Sequence, residues 1–335
     1  MILNPRISVI VIAYQRKKFI RVALESLFRQ SFPKDRYEII VVKNFIDNEI
    51  DSFIQSHSVK NIYSNAPDLG DKCIEGIQNS NGEIIVFLED DDFFAVDKLE
   101  VIDKVFEDAN IVYFHNCHQL VDLNGSISKF NLFSKFNKDL TLTKSNLNHK
   151  TLGFALKIGF SFNLSSIAIR RSMLHNQLIP LKGMNVAIDN YMFYLSLTSG
   201  KSLISSPLKL TFYRVHGDNS SLPLEDNANV LLLKAHKFLK SDLYGYKVIE
   251  NTIKDQLIKN LIECRIIGPK LNLHIIDSTS EMITMQDYVK ALKCGLRMRN
   301  KDPIILAIVD LLSIRYKLLG RRLYVLYLKN KTYGK

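Results

Sequence analysis

No run of about 18 uncharged apolar residues occurs anywhere in the 335-residue sequence, so no segment is expected to cross a bilayer as a helix. Cysteine is sparse: Cys73, Cys117, Cys264 and Cys294 stand far apart and make no CxxC pair. A disulfide framework is therefore not expected, and a reducing compartment is. The opening stretch MILNPRISVIVIAY lacks a charged leader and a small-residue cleavage site, and it reads as a strand rather than a signal peptide. There is no internal repeat and no low-complexity linker. With 47% hydrophobic residues the chain is globular, and it is long enough for a large α/β core plus an appendage.

The charge that is present is unbalanced. A formal net charge of +11 suggests a phosphate-rich partner, whether nucleic acid, nucleotide or anionic membrane. Against that background four acids stand side by side. Glu89, Asp90, Asp91 and Asp92 follow the apolar run Ile84, Ile85, Val86, Phe87 and Leu88, itself preceded by the turn pair Asn81-Gly82. The run reads as a central strand of a parallel sheet, buried on both faces. Four adjacent carboxylates repel one another, and open α/β sheets bind ligands beyond the carboxyl ends of their strands. The cluster calls for a hard divalent cation whose shell is completed by a phosphate-bearing ligand. A solvated acidic turn is the plain alternative.

Around this stretch the pattern alternates. Ile7 to Ile12 predicts a buried first strand, and Phe19, Ile20, Ala23, Leu24, Leu27 and Phe28 recur at helical spacing. Glu38 to Val42 gives a second strand, Asn61 to Tyr63 a short third, and Asp71 to about Ser80 a helix leading into the acidic strand. Strands alternating with helices make a doubly wound, mostly parallel α/β sheet with helices on both faces. A helix over Leu99 to Phe106, a strand at Ile111 to Phe114 and a hairpin at Asn124-Gly125 are expected next, then a variable loop region over 126–160. Further strands are expected at Ser165 to Ile169 and Leu208 to Tyr213, with a helix at Tyr191 to Leu197 between them and a polar loop over Arg214 to Ser221. The change of period near 225 divides a 1–225 domain from a helical, basic 226–335 region with helices near 228–240, 247–264 and 285–299.

The last helix opens with Asp302 as candidate N-cap and Pro303 at the first helical position. On one continuous wheel Ile305, Ile308, Leu312, Leu319, Leu323 and Leu326 share a face, and Asp310, Ser313, Lys317 and Arg321 the opposite one. No acid follows Asp310, while basic residues and tyrosines do. Residues 303–335 therefore suit an anionic membrane surface, or else pack their apolar face on the main domain.

The ordered set PRISVIVIAYQR, EIIVV, GEIIVFLEDDDFF, SSIAIRR, Asp189 and YRVHGDNSS, spanning residues 5 to about 221, resembles glycosyltransferase family 2. The resemblance implies a GT-A fold and an inverting transfer of sugar from a nucleotide-diphosphate sugar, such as a UDP- or GDP-sugar. The acceptor would be the hydroxyl of a saccharide or lipid-linked saccharide, and the cofactor Mg²⁺ or Mn²⁺. It implies a DxD-type motif on Glu89, Asp90 and Asp91, with Asp91 and His216 as metal ligands and Glu89 or Asp90 toward the ribose or the metal's water shell. Asp189 takes the place of the family's base before an amphipathic helix that ends near Gly200, and an N-cap role is its alternative. Arg214 and Lys72 are placed within reach of phosphate, and Ala13, Tyr14, Arg16 and Asn44 on the base side. It also implies a cytoplasmic enzyme, peripheral at the inner face of the membrane.

Three positions depart from the family pattern: Glu89 stands where Asp is commoner, Ile188 replaces a Glu, and Lys43 replaces an Asp that contacts the nucleobase. An ammonium accepts no hydrogen bond, so Asn44 is the nearer candidate there. His115, Cys117 and His118 read as strand-end residues, not a zinc site, for want of a second ligand pair. Nucleic-acid binding is not expected without an RNP-like or zinc-finger pattern. The rival readings are a sugar-nucleotide nucleotidyltransferase, disfavoured because AYQRKKF carries no Gly, and a catalytically degenerate GT-A membrane scaffold.

Overall fold

The computed structural model describes residues 5–14, 17–128, 136–217, 219, 227–298 and 300–333, with side chains through residue 329. Arg16 lies outside the described residues, as do Asp218, Ser220 and Ser221 of the loop expected after Arg214. The chain divides into two compact units. One runs to Leu147 and resumes over Ala155–Arg214; the other comprises Asn148–Phe154 and the residues from Val215 onward.

The first unit begins with β1 (Ile7–Ala13), α1 (Lys17–Phe28), β2 (Tyr37–Lys43), α2 (Asn48–Ser56), β3 (Lys60–Tyr63), α3 (Leu69–Gln78) and β4 (Ile84–Glu89). β1 is buried along its whole length, and β4 everywhere except at Glu89. That is why both read as unbroken apolar runs. Val9, Val11, Ile39, Val41, Val86 and Leu88 face α1 and α2 through Ile20, Leu24, Leu27 and Ile54. The opposite face takes α3, which comes so near that a Cβ at Gly76 would lie 2.3 Å from Ile10 Cγ2.

The unit continues with β5 (Phe93–Phe94), α4 (Lys98–Val105), β6 (Ile111–Val121), β7 (Leu140–Leu142), β8 (Ile167–Arg170), α6 (Ile188–Leu197) and β9 (Ser202–Arg214), while α5 (His149–Lys157) begins among the residues counted with the second unit. Among the described residues the sheet has nine strands, in the order β3-β2-β1-β4-β8-β6-β9-β5, with β7 against β9. β1, β2, β3, β4, β6 and β9 run one way; β5, β7 and β8 run the other. The sheet is therefore mostly parallel, but β4 meets a parallel neighbour on one side only and the antiparallel β8 on the other.

Two expectations about this unit are corrected. β6 does not stop at Phe114 but runs to Val121, so His115, Cys117 and His118 are mid-strand residues. Their polar run hid the strand because it bonds inside the protein: His115 with Ser205, the Asn116 amide N–H with Thr211, and Gln119 with Lys209. The supposed loop region over 126–160 contains β7 and α5, the latter with Leu152 and Ala155 buried.

The second unit is helical: α7 (Ala228–Thr252), α8 (Gln256–Ile276), α9 (Met285–Met298), α10 (Asp302–Arg315) and α11 (Lys317–Tyr333). The helix expected over 247–264 is two helices, because Asp255 caps α8 by accepting the Ile258 N–H. The single last helix is likewise two. Tyr316, at φ −132° and ψ 72°, leaves helical geometry and breaks the shared wheel. Asp302 is the first helical residue rather than the cap. Asp310, expected on an outer polar face, is fully buried: its Oδ1 lies 2.7 Å from His274 Nδ1 on α8, and its Oδ2 accepts from the Tyr288 hydroxyl on α9 at 2.7 Å.

Cys264 and Cys294 form a disulfide, against expectation. The packing of α8 on α9 brings their Cα atoms to 5.4 Å, within bonding range, and a separation of 30 residues gives no hint of it.

Candidate active site

The acidic turn between β4 and β5 is tied down on three sides. Asp90, fully buried, accepts the Tyr14 N–H at Oδ2 (3.1 Å), and its own N–H reaches the Ile12 carbonyl at 3.1 Å. The turn is thereby fastened to the end of β1, where Ala13 is buried and pairs with Lys43. Asp92 accepts the Arg214 N–H at Oδ1 (3.0 Å) and the Asn163 side-chain amide at Oδ2 (3.3 Å). Glu89 donates its N–H to Ser165 Oγ at 3.0 Å, and the Asp91 carbonyl accepts from Arg214 Nε at 2.9 Å. Burial, followed by the neighbouring Asp91 charge, pushes the Asp92 carboxyl up to about 7.

Behind the turn lies Lys98, also fully buried. Its ammonium donates to the Ser165 carbonyl and to Thr211 Oγ1, and sits 3.7 Å above the Phe94 ring centroid. Burial drives its pKa well down, with Asp92 opposing the shift.

Asp189 stands in the first turn of α6, so it is not the cap; that place belongs to Ala187, at a left-handed φ of 68°. The Asp189 carboxylate accepts the Asn163 N–H at Oδ2 (2.9 Å), and the Asn190 N–H (2.8 Å) and side-chain amide (3.0 Å) at Oδ1. Asn163 thus holds both Asp92 and Asp189, one by its side chain and one by its main chain. It does so at φ +75°, a conformation Asn tolerates better than most residues. Its neighbours are fixed as well. Ser161 Oγ donates to Asn190 Oδ1 at 2.9 Å, and the Phe162 carbonyl lies 3.2 Å from His115 Nε2. A carbonyl can only accept, so Nε2 carries the proton and Nδ1 accepts from the Ser205 hydroxyl at 2.9 Å.

The remaining candidates fall into different settings. The Tyr14 ring is half exposed, with the Lys72 ammonium 5.0 Å from its centroid. Lys72 is buried, donates to the Ala66 carbonyl, and has its pKa lowered by burial. Lys43 is caged: its ammonium reaches the Phe45 carbonyl at 2.6 Å and Asp51 Oδ1 at 2.8 Å. Asn44 follows it, partly buried. The Arg214 guanidinium is enclosed between the Phe19 and Phe93 rings at 4.7 and 5.5 Å, and donates to the carbonyls of Asp91, Asp122 and Leu123. His216 belongs to the second unit, where it is buried and its N–H donates to Asn219 Oδ1.

Sequence reasoning overlooked Asn163, Ser165 and Lys98, and gave Asp92 no task. A signal was present in the placement of Asn163 and Ser165 just before the strand SSIAI, on the side of the sheet where the acidic turn also ends.

Among the described residues no three His, Cys, Asp or Glu side chains cluster as a self-sufficient metal cage. The oxygen donors of the acidic turn are hard ligands that fit Mg²⁺ or Mn²⁺ in a shared site. Such ions are commonly held by one or two carboxylates, with substrate phosphates and water doing the rest.

Comparison with known proteins bears on the family and the fold. The curated poly(ribitol-phosphate) beta-N-acetylglucosaminyltransferase TarS of Staphylococcus aureus is 21% identical over 308 residues, covering 85% of this chain and 49% of TarS. This chain therefore spans about half the length of that relative. The crystal structure of S. aureus TarS 1-349 in complex with UDP-GlcNAc aligns at TM-score 0.57 and 14% identity, covering 98% of this chain and 92% of that one. The mannosyltransferase PcManGT from Pyrobaculum calidifontis, in complex with GDP-Man and Mn²⁺, aligns at TM-score 0.53 and 13% identity, covering 98% and 87%. These structural likenesses speak to the fold, which is of the GT-A type. The family described as Glycosyl transferase family 2 matches residues 8–178, just over half of the sequence, and the chain belongs to that family.

Proposed function

We propose that this chain is an inverting glycosyltransferase that moves a sugar from a UDP- or GDP-sugar to a hydroxyl of a saccharide or lipid-linked saccharide, with Mg²⁺ or Mn²⁺ as cofactor. The observation that carries this reading is the link made by Asn163, which fastens the Asp189 carboxylate to the acidic turn after β4. Asp189 takes the proton of the acceptor hydroxyl as that oxygen attacks the anomeric carbon. The bond from that carbon to the diphosphate breaks on the opposite side, and its electron pair leaves with the diphosphate.

Three donors fix the Asp189 carboxylate, so its orientation does not have to be found anew at each encounter. Asp91 would hold the metal, which when bound neutralises the leaving diphosphate. Tyr14, at the mouth of β1 and half exposed, offers a ring to the base, with Lys72 beneath it. UDP-GlcNAc bound to TarS and GDP-Man with Mn²⁺ bound to PcManGT support a nucleotide-sugar donor of this kind. No helix among the described residues is long and apolar enough to cross a membrane. With +11 overall, the enzyme is read as acting peripherally at the inner face of the cell membrane.

The test is transfer from UDP-GlcNAc and GDP-mannose to a saccharide acceptor with and without EDTA, comparing wild type with Asp91→Ala and Asp189→Ala, and reading the product's anomeric configuration by NMR. Loss of transfer in EDTA and in both variants, with inverted product, is expected. Full activity in either variant, or retention of configuration, overturns the reading.

A further inference from the structure

We propose that the exposed aliphatic surface shared by α9 and α10 is the face that docks this protein on an anionic lipid bilayer. The proposal rests on the membrane-side reading above and extends the contact expected of residues 303–335 back to α9.

On α9, at about 100° per residue, Met285, Val289, Leu292 and Leu296 fall within a sector of about 60°. They are exposed by 77%, 47%, 50% and 68%. This is not an inward face turned out, because the inward face exists already: Asp287, Ala291, Cys294 and Gly295 are buried, and Cys294 is bonded to α8. α10 packs alongside on the flank of the stripe. A Cβ at Gly295 would lie 2.5 Å from Ile304 Cγ1, and about one and two turns further on Ile308 and Leu311 are about half exposed. Their own inward partners, Leu306, Val309 and Asp310, are buried. Two adjacent helices thus carry aliphatic stripes that nothing among the described residues covers.

Charge selects the occupant. About 100° around α9 from the stripe, on the side away from Gly295, stand Lys290, Lys293 and Arg297, all exposed. Lys290 lies 3.7 Å from Glu263; Asp287, the acid of this helix, is buried and paired with Lys270. From residue 303 onward Asp310 is the only acid in the sequence, and it is buried against His274. A second copy of the chain docking through the same surface with its α9 antiparallel would set this basic flank against its own kind. An anionic bilayer offers an apolar layer for the stripes and phosphates for the flank. Amphipathic helices lying in such an interface sink their apolar face about 5–10 Å into it.

The test is co-sedimentation of the full chain with phosphatidylcholine vesicles and with phosphatidylcholine vesicles containing phosphatidylglycerol, at low and high salt. Binding at least tenfold stronger to the anionic vesicles, and weakened by salt, is expected. Val289→Glu/Leu292→Glu and Lys293→Glu/Arg297→Glu should each lose tenfold or more while keeping the wild-type melting temperature. Transfer to a soluble acceptor, assayed in parallel, separates this proposal from the catalytic one, since the surface variants should retain it whether or not they bind vesicles. Equal binding to both vesicle types, or variants that bind like wild type, would overturn the assignment. A dimer that Val289→Glu/Leu292→Glu splits, without vesicle binding, would reassign the face to self-association.

Discussion

The main-chain N–H of Asn163 donates to Asp189 Oδ2 at 2.9 Å, while the side-chain amide of the same residue holds Asp92 at 3.3 Å. One residue at a left-handed φ spans two carboxylates that are 97 positions apart in the chain. Replacing it separates its two functions. Asn163→Gly keeps the positive φ at no steric cost and keeps the N–H to Asp189, deleting only the bond to Asp92. Asn163→Ala also adds backbone strain. Both variants should lower kcat about 10- to 100-fold, the scale of a misplaced catalytic group, with donor affinity within about twofold of wild type. Steady-state kinetics with varied acceptor reads this; a wild-type kcat in the glycine variant would reduce Asn163 to a turn residue.

Arg214 gives the opposite pattern. Its guanidinium donates to three backbone carbonyls between two aromatic rings, work that a lysine cannot reproduce. Arg214→Lys should cost about 2–4 kcal/mol of stability, the scale of a broken buried network, as read by urea denaturation. A variant of normal stability with weakened nucleotide binding would instead make Arg214 a phosphate contact.

In the helical unit, removing one partner of the buried Asp310–His274 pair leaves the other without its counterpart. Asp310→Ala should destabilise that unit by about 3–5 kcal/mol. Asp310→Asn, which still accepts from Tyr288, should cost less. Thermal unfolding followed by circular dichroism orders the two.

Acid should weaken the sheet unit before any carboxylate in the usual range titrates. Burial pushes His115 down to about 3 and His118 down to about 4. Unfolded histidine takes up a proton below about pH 6.5, which these two cannot do while folded. Their neutral burial therefore costs nothing above about pH 6.5, and stability falls as pH drops from there toward 4, offset in part by Asp92, whose carboxyl, raised to about 7, takes up its proton in the folded state before the unfolded one does. Each contributes a slope of up to about 1.4 kcal/mol per pH unit. Urea midpoints measured from pH 7.5 to 4.5 should show this slope, made shallower by His115→Asn; a flat profile would contradict it.

The strands legible in the sequence are those buried on both faces. β1, β2 and β4 announce themselves as apolar runs because no side of them meets water. β6 concealed its second half, since His115, Asn116 and Gln119 bond to Ser205, Thr211 and Lys209 of β9 rather than to solvent, a pairing that sequence spacing does not encode. The acidic turn stands out in the sequence as a candidate site, but the bonds that hold each of its acids do not. Asp90 and Asp92 look alike in the sequence, yet distant parts of the chain bring them different donors, the Tyr14 N–H to Asp90, and the Arg214 N–H and the Asn163 side-chain amide to Asp92. The tail misled for a related reason. Its periodicity passes through Tyr316 undisturbed, so one wheel spans what are two helices, and that wheel sets Asp310 on a shared polar face although His274 and Tyr288 bind it inside.

The bond between Cys264 and Cys294 makes the loop between α8 and α9, residues 277–284, part of a covalent ring. A protease that nicks that loop would produce two fragments on a reducing gel and one species on a non-reducing gel. The helix presenting Val289 and Leu292 would stay leashed to the rest of the unit after the cut. Severing it from α8 takes two chemical events, hydrolysis and reduction, and either alone leaves the platform attached.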